Sequence, residues 1–287
     1  MIKQFKILFL TIIISITYLN ASSLRIEAVD LAKNIEAYKI LDARSQETYQ
    51  AGHIKGALSF PIDLTYEHIK NNGKLTNPIK MQKILRELGL TTSSKIIVYD
   101  NGDFFDASRL FWALEVYGFK NVKLLNSGFD NWDLSSYPVS TQTPVVKKSN
   151  YIARINNSKL ATKFTTQIAT KNPNQIIIDA RPQKAYEGEV SSAIRFGHIP
   201  NAKNYPASHN INYQEKAQKL QTIATLKNIY KDIDKSKKIV LYCAAGRIAA
   251  TNYFALRELD YNVANYDASW NEWGNDNSLP IIGPNKD

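Results

Sequence analysis

Lys237-Lys238-Ile239-Val240-Leu241-Tyr242-Cys243-Ala244-Ala245-Gly246-Arg247-Ile248-Ala249-Ala250 is the stretch from which the rest of the chain is read. The β-branched and aromatic run 239–242 predicts a short buried strand, and 249–259 (AATNYFALREL) has helical spacing and strong helix formers. A tight loop joins them. Cys243, the only cysteine, ends the strand at its carboxyl end, where open α/β sheets place their ligands. There, loop N–H groups converge with the helix N-terminus, so a thiolate is favoured and an anion can be cradled. Ala244, Ala245 and Gly246 keep the backbone approachable. The competing reading is that Cys243 merely fills space, as buried free cysteines often do. Its position and its small neighbours favour nucleophilic sulfur chemistry.

Moving outward, the chain repeats itself. Ile40-Leu41-Asp42-Ala43-Arg44, followed by Gly52-His53-Ile54, returns as Ile178-Asp179-Ala180-Arg181, followed by Gly197-His198-Ile199. The second copy carries eight extra residues between these motifs, within 187–195. Ile96-Ile97-Val98-Tyr99-Asp100 and a helix over 107–117 match the cysteine strand and its helix, so Asp100 stands where Cys243 stands. Gly128-Phe129-Asp130-Asn131-Trp132 answers Ser269-Trp270-Asn271-Glu272-Trp273, and 121–125 and 262–266 supply further short strands. Each copy alternates strands with helices, which makes the fold class α/β with a parallel sheet flanked by helices. Between the copies, 138–151 holds two prolines and no periodicity and reads as an exposed linker.

At 287 residues two domains are expected, and 44% hydrophobic with 22% charged residues excludes a disordered chain. The net charge of +10 comes from scattered lysines without an Arg-rich, aromatic-interleaved patch. Nucleic-acid binding is therefore not expected, and attraction of small anions is. Lys3 and Lys6, the apolar run 7–19 and Asn20-Ala21-Ser22-Ser23 have the layout of a secretory signal peptide over 1–21, cut after Ala21. That run is short for a membrane span, although an uncleaved anchor is the alternative. The expected location is periplasmic or extracellular, with no stable membrane insertion after cleavage. One cysteine cannot form an internal disulfide, so an exported thiol is either buried or kept for its reactivity. His53, His68, His198 and His209 are scattered, and neither a metal nor another cofactor is expected.

Together these residues resemble a two-domain rhodanese-type sulfurtransferase of the thiosulfate and 3-mercaptopyruvate sulfurtransferase family. The resemblance implies two tandem rhodanese-like domains: 22–144, degenerate with Asp100 at the cysteine position, then a linker at 145–150, and 151–287, catalytic. It implies that Cys243 takes a sulfane sulfur from an anionic donor (thiosulfate, 3-mercaptopyruvate or polysulfide) and hands it to a thiol or cyanide-like acceptor. Charge on the sulfur would be stabilised by the N–H groups of Ala244, Ala245, Gly246, Arg247 and Ile248.

Two positions depart from the family pattern. Thiosulfate-preferring members carry basic residues directly after the cysteine and mercaptopyruvate-preferring members Gly then Ser or Thr, whereas Ala244 and Ala245 favour neither donor. The family's donor-clamping arginine aligns with Ala185, leaving Lys184 or Arg195; Arg195 is the choice, with Arg247 as a second donor contact. Asp42, Arg44, Asp179 and Arg181 are expected to tie loops together, His53 and His198 to anchor turns, and Trp132, Trp270 and Trp273 to pack. Two rival functions follow. A phosphatase or arsenate reductase on the same fold needs an arginine six positions after the cysteine, and position 249 is Ala. A persulfide carrier without efficient turnover of free donors is the other.

Overall fold

The described residues of the computed structural model are 23–68, 73–213 and 217–283, so the leader expected at 1–21 lies outside them. In chain order the first half runs β1 (Arg25–Glu27), α1 (Ala28–Lys33), β2 (Lys39–Asp42), α2 (Gln46–Ala51), β3 (His53–Ile54), β4 (Leu58–Ser59), α3 (Pro78–Glu87), β5 (Ile96–Tyr99), α4 (Phe105–Val116), β6 (Val122–Asn126), α5 (Gly128–Leu134) and β7 (Val139–Ser140). The second runs β8 (Leu160–Ala161), α6 (Lys163–Ala169), β9 (Gln175–Asp179), α7 (Gln183–Glu187), β10 (Ala202–Asn204), β11 (Ile211–Asn212), β12 (Lys219–Leu220), α8 (Ile223–Ile229), β13 (Lys238–Tyr242), α9 (Ala249–Glu258), β14 (Val263–Tyr266) and α10 (Ser269–Trp273). Each half builds one five-stranded sheet, in the orders β1-β6-β5-β2-β4 and β8-β14-β13-β9-β10. All pairings within the two sheets are parallel. The duplicated sequence is thus a duplicated topology. The pairs β3–β7 and β11–β12 are small and antiparallel.

Register explains why the duplicated motifs recur together. Asp42 lies beside Tyr99 and Asp179 beside Tyr242, one residue before Asp100 and Cys243 respectively. Arg44 and Arg181 return to these aspartates through Nε at 2.9 and 3.0 Å. The Tyr99 and Tyr242 hydroxyls accept from Ile54 N and Ile199 N of the Gly-His-Ile turns at 3.2 and 3.1 Å. His53 and His198 stack on Tyr49 and Tyr186, as turn anchors should. These buried charges are compensated and serve to hold loops.

One face of each sheet has its own apolar cluster, but the largest cluster takes side chains from both halves. Its centre is the packing of α4 on α9, where Phe111 meets the edge of Phe254 at 5.0 Å between ring centroids. Every residue of α4 from Ala107 to Val116 is buried, which is why most of its side chains are apolar, with Ser108, Arg109 and Glu115 as the buried polar exceptions. Polar ties border the same interface. Glu115 accepts from Arg257 Nη2 at 2.9 Å and from the Tyr253 hydroxyl, while Arg25 Nε reaches Glu258 at 2.9 Å. The linker is mostly exposed, but it is pinned: Ser149 Oγ donates to Leu90 O at 2.6 Å, and Tyr151 is buried with its hydroxyl on Tyr117 O at 2.6 Å.

Candidate active site

Cys243 follows the central strand β13, flanked by β9 and β14, and is buried at the mouth of the loop that leads into α9. A latch fixes the loop. Trp270 N donates to Cys243 O at 3.0 Å and Asn271 N to Ala244 O at 2.9 Å, while Asn265 Nδ2 holds Gly246 O at 3.0 Å. Ser269, in the left-handed region at φ 53°, accepts from Cys243 N at 3.1 Å and donates to Tyr266 O at 2.6 Å. Gly246 has to be glycine. Its φ is +67°, and a Cβ there would lie 2.4 Å from Asp267 O.

The first half shows what such a loop is built to hold. Its latch is the same, with Phe129 N on Asp100 O at 2.8 Å and Asp130 N on Asn101 O at 3.1 Å. Inside it the Asp100 carboxylate accepts from Gly102 N (2.9 Å), Phe104 N (3.3 Å) and Ala107 N (3.0 Å). A side-chain carboxyl group therefore fills the amide cradle. In the second loop the N–H groups of residues 244–248 find no acceptor among the described residues. They are available to an anion on or beside the Cys243 sulfur. Burial, reinforced by Asp103, pushes the Asp100 carboxyl up to about 8.

The cysteine loop is covered by the first half. Gly73 (φ +76°) lies so close that a Cβ on it would be 2.5 Å from Ala245 O. Leu75 N donates to Asp267 Oδ2 at 2.6 Å, and burial raises that carboxyl above its usual range against this bond. Arg109, on α4, is fully buried. It donates from Nε to Thr65 Oγ1 at 2.9 Å, from Nη1 to Ala245 O at 3.3 Å and from Nη2 to Gly73 O at 2.9 Å, and it lies over the Tyr66 ring at 3.7 Å. Desolvation lowers its pKa, opposed by Tyr66, Asp267, Cys243 and Asp106.

The structure brings Cys243, Ala244, Ala245, Gly246, Arg247 and Ile248 together as one loop, but it uses the expected arginines differently. Arg247 turns to the first half, with Nε on Asp106 Oδ1 at 2.5 Å and Nη2 3.8 Å from Asp103. Arg195 is engaged by backbone carbonyls at the end of α10 and after it. Its guanidinium donates to Trp273 O and Leu279 O, both at 2.7 Å, to Gly274 O at 3.2 Å and to Asp276 O, because the segment after α10 presents carbonyls that no strand or helix satisfies. Lys184 is exposed and 3.8 Å from Glu189. Sequence reasoning missed Arg109, Asp267 and Ser269. Only Ser269 left a signal, as a side-chain-bearing residue where the first copy has Gly128.

Comparison with known proteins agrees with this geometry. A family model described as "Rhodanese-like domain" matches twice, over residues 27–135 and 161–276. The chain belongs to the rhodanese-like family. It is a sulfurtransferase of the rhodanese type. The 3-mercaptopyruvate sulfurtransferase of Escherichia coli is 30% identical to this rhodanese-like chain over 247 residues, covering 84% of this chain and 86% of the relative. A protein named putative thiosulfate sulfurtransferase from Haloferax volcanii is 28% identical over 258 residues, covering 85% and 88%. The crystal structure of SseA from Escherichia coli superposes with a TM-score of 0.77 at 30% identity, over 87% of this chain and 99% of that one. EanB, in complex with ergothioneine, shares the fold at a TM-score of 0.81 and 19% identity, over 92% of this chain and 70% of that one.

Proposed function

We propose that the Cys243 thiolate takes the outer sulfur of a small anionic donor, such as thiosulfate, 3-mercaptopyruvate or a polysulfide, while the amides of residues 244–248 hold the negative charge. The observation that carries this reading is the contrast between the two loops: Asp100 occupies its own cradle, and the second cradle has no protein acceptor among the described residues. With thiosulfate, a new S–S bond forms on Cys243 as the donor S–S bond breaks and sulfite leaves with the electron pair. A thiol or cyanide acceptor then attacks the outer sulfur and returns the thiolate, so no external oxidant or reductant is consumed. Arg247 stands at the rim of the loop, shared between Asp106 and an incoming anion.

Thiocyanate formation from cyanide, measured with the three donors side by side, tests the reading. Turnover with at least one anionic donor is expected, and none with any would sink it. That Arg247 is already ion-paired favours a second reading, a carrier that receives its persulfide from a protein partner; a protein named as a sulfur carrier in Thermus thermophilus is 27% identical over 252 residues. Persulfide on the isolated protein, together with negligible turnover of free donors, would select it. We propose further that the reaction takes place outside the cytoplasm, on the strength of the leader expected at 1–21. Intact mass of envelope-derived protein should correspond to a chain starting near Ser22, and a full-length cytoplasmic product contradicts export.

A further inference from the structure

We infer that Asn265 is a positioning residue for the amide cradle around Cys243: its side chain fixes the Gly246–Arg247 peptide and so sets the direction of the Arg247 N–H. This deepens the proposed reading and rests on the loop amides being what receives the donor's charge. Asn265 lies in β14, between β13 and β8, and is fully buried. Asparagine is depleted in strands, and a buried carboxamide has two donors and an oxygen to satisfy. Nδ2 donates to Gly246 O at 3.0 Å, but Oδ1 finds no donor among the described residues. An unpaired buried oxygen weakens a fold, so stability alone does not account for this side chain. Natural chains break such local rules chiefly at functional sites.

Register puts the carboxamide on the same side of the sheet as the thiol. Asn265 pairs with Leu241, and Cys243 follows Leu241 by two residues. Val263, Ile239, Leu241 and Cys243 all join the apolar cluster shared by the two halves, whereas Ala264 and Tyr266 join the cluster on the opposite face. Gly246, at φ +67° and without a Cβ, is the loop residue that restrains its following peptide least, and the bond from Asn265 supplies the missing restraint. A trans peptide points its C=O and N–H in opposite directions, so with Gly246 O held by Asn265 the Arg247 N–H is held away from it, free of any acceptor among the described residues.

The duplication supplies an internal comparison. In the first half the equivalent strand pair is Val98 and Leu124, and Leu124 can hold no carbonyl. None has to be held there, because the Asp100 carboxyl accepts from three amides and fixes their directions itself. In the second loop no side chain accepts from the amides of residues 244–248 among the described residues, and the restraint comes from the neighbouring strand instead.

The test compares alkylation of Cys243 by iodoacetate and by iodoacetamide in the full chain, read by mass spectrometry, for wild type, Asn265→Leu and Asn265→Thr. Both reagents meet the same thiolate, so the ratio of their rates cancels its pKa and reports how well the site receives a carboxylate. Asn265→Leu installs the residue that the first half carries at this place, and Asn265→Thr suits a strand but is one bond too short to hold Gly246 O. Releasing the peptide should lower the iodoacetate-to-iodoacetamide ratio about five- to tenfold in both variants, the order expected for one oriented amide acting on an anion. KM for thiosulfate should rise by a similar factor with kcat less affected. A folded variant of either kind that keeps the wild-type ratio overturns the inference, and Asn265→Thr decides alone if Asn265→Leu does not fold. Absence of turnover in the wild type with every donor would instead overturn the proposed function, and the alkylation ratio, which needs no donor, still judges Asn265.

Discussion

At the scale of single residues, the environment decides what each arginine and each acid does, and residue type alone does not. Arg195 and Arg109 are both cations, yet one is spent on carbonyls at the end of α10 and after it, and the other is buried against the cysteine loop. Arg195→Ala should therefore cost about 2–3 kcal/mol in urea denaturation, because carbonyls of the last turn lose their charged donor, while the donor KM stays within about twofold. A tenfold rise in KM at unchanged stability would restore the clamp role. Cys243→Ser should keep the fold and lose at least about three orders of magnitude in sulfur transfer, since an alcohol is a poor nucleophile at neutral pH and holds no sulfane sulfur.

At the scale of elements, the strand–loop–helix unit exists twice with two fillings, and the filling sets a pH response. Asp100 has its carboxyl pushed up to about 8 by burial and by Asp103, above its unfolded value. The native state thus holds a proton that the unfolded chain has released between about pH 4 and 8, and stability falls as pH rises through that window. The slope is limited to about 1.4 kcal/mol per pH unit for one proton. Asp100→Asn should flatten it in thermal melts from pH 5 to 9 and leave turnover nearly unchanged, because the first cradle carries no nucleophile. An unaltered slope would mean that Asp100 is ionised in the fold. The paired loop in the second half tolerates less: Gly246→Ala forces a Cβ to 2.4 Å from Asp267 O and 3.0 Å from Arg109 Nη1, and should lower kcat/KM by about 100-fold through a displaced loop.

Much of this level was legible from the chain. The expected strand over 239–242 and helix over 249–259 are found as Lys238–Tyr242 and Ala249–Glu258, because an apolar β-branched run and a helical period are local signals. The repeat identified Asp100 as the counterpart of Cys243. What could not be read is whatever joins residues far apart: Arg109 reaches Ala245 across 136 positions, and Asp267 reaches Leu75 across 192. No period or spacing encodes such a meeting, which follows from how α4 and α9 pack. The carbonyl partners of Arg195 were illegible for the same reason, since they lie about 80 residues on, in a segment whose path is tertiary.

At the scale of the whole molecule, the candidate active site draws on both halves, and its integrity depends on an interface that is also a core. Domains within one chain usually meet through modest, polar surfaces and move independently. Here the largest apolar cluster runs through both halves, with Phe111, Trp112 and Leu114 of α4 against Phe254 and Leu256 of α9 and the Glu115–Arg257 pair beside it. Separating the halves would expose that cluster and strip Arg109, Gly73 and Leu75 from the cysteine loop. Unfolding should consequently be a single cooperative event, with calorimetric and van't Hoff enthalpies in agreement. Phe254→Ala, which removes one side of the central aromatic contact, should cost about 3–5 kcal/mol and keep the single transition at a lower temperature. Two resolved transitions in the wild type, one of which leaves sulfur transfer intact when the other has melted, would show that the second half works alone.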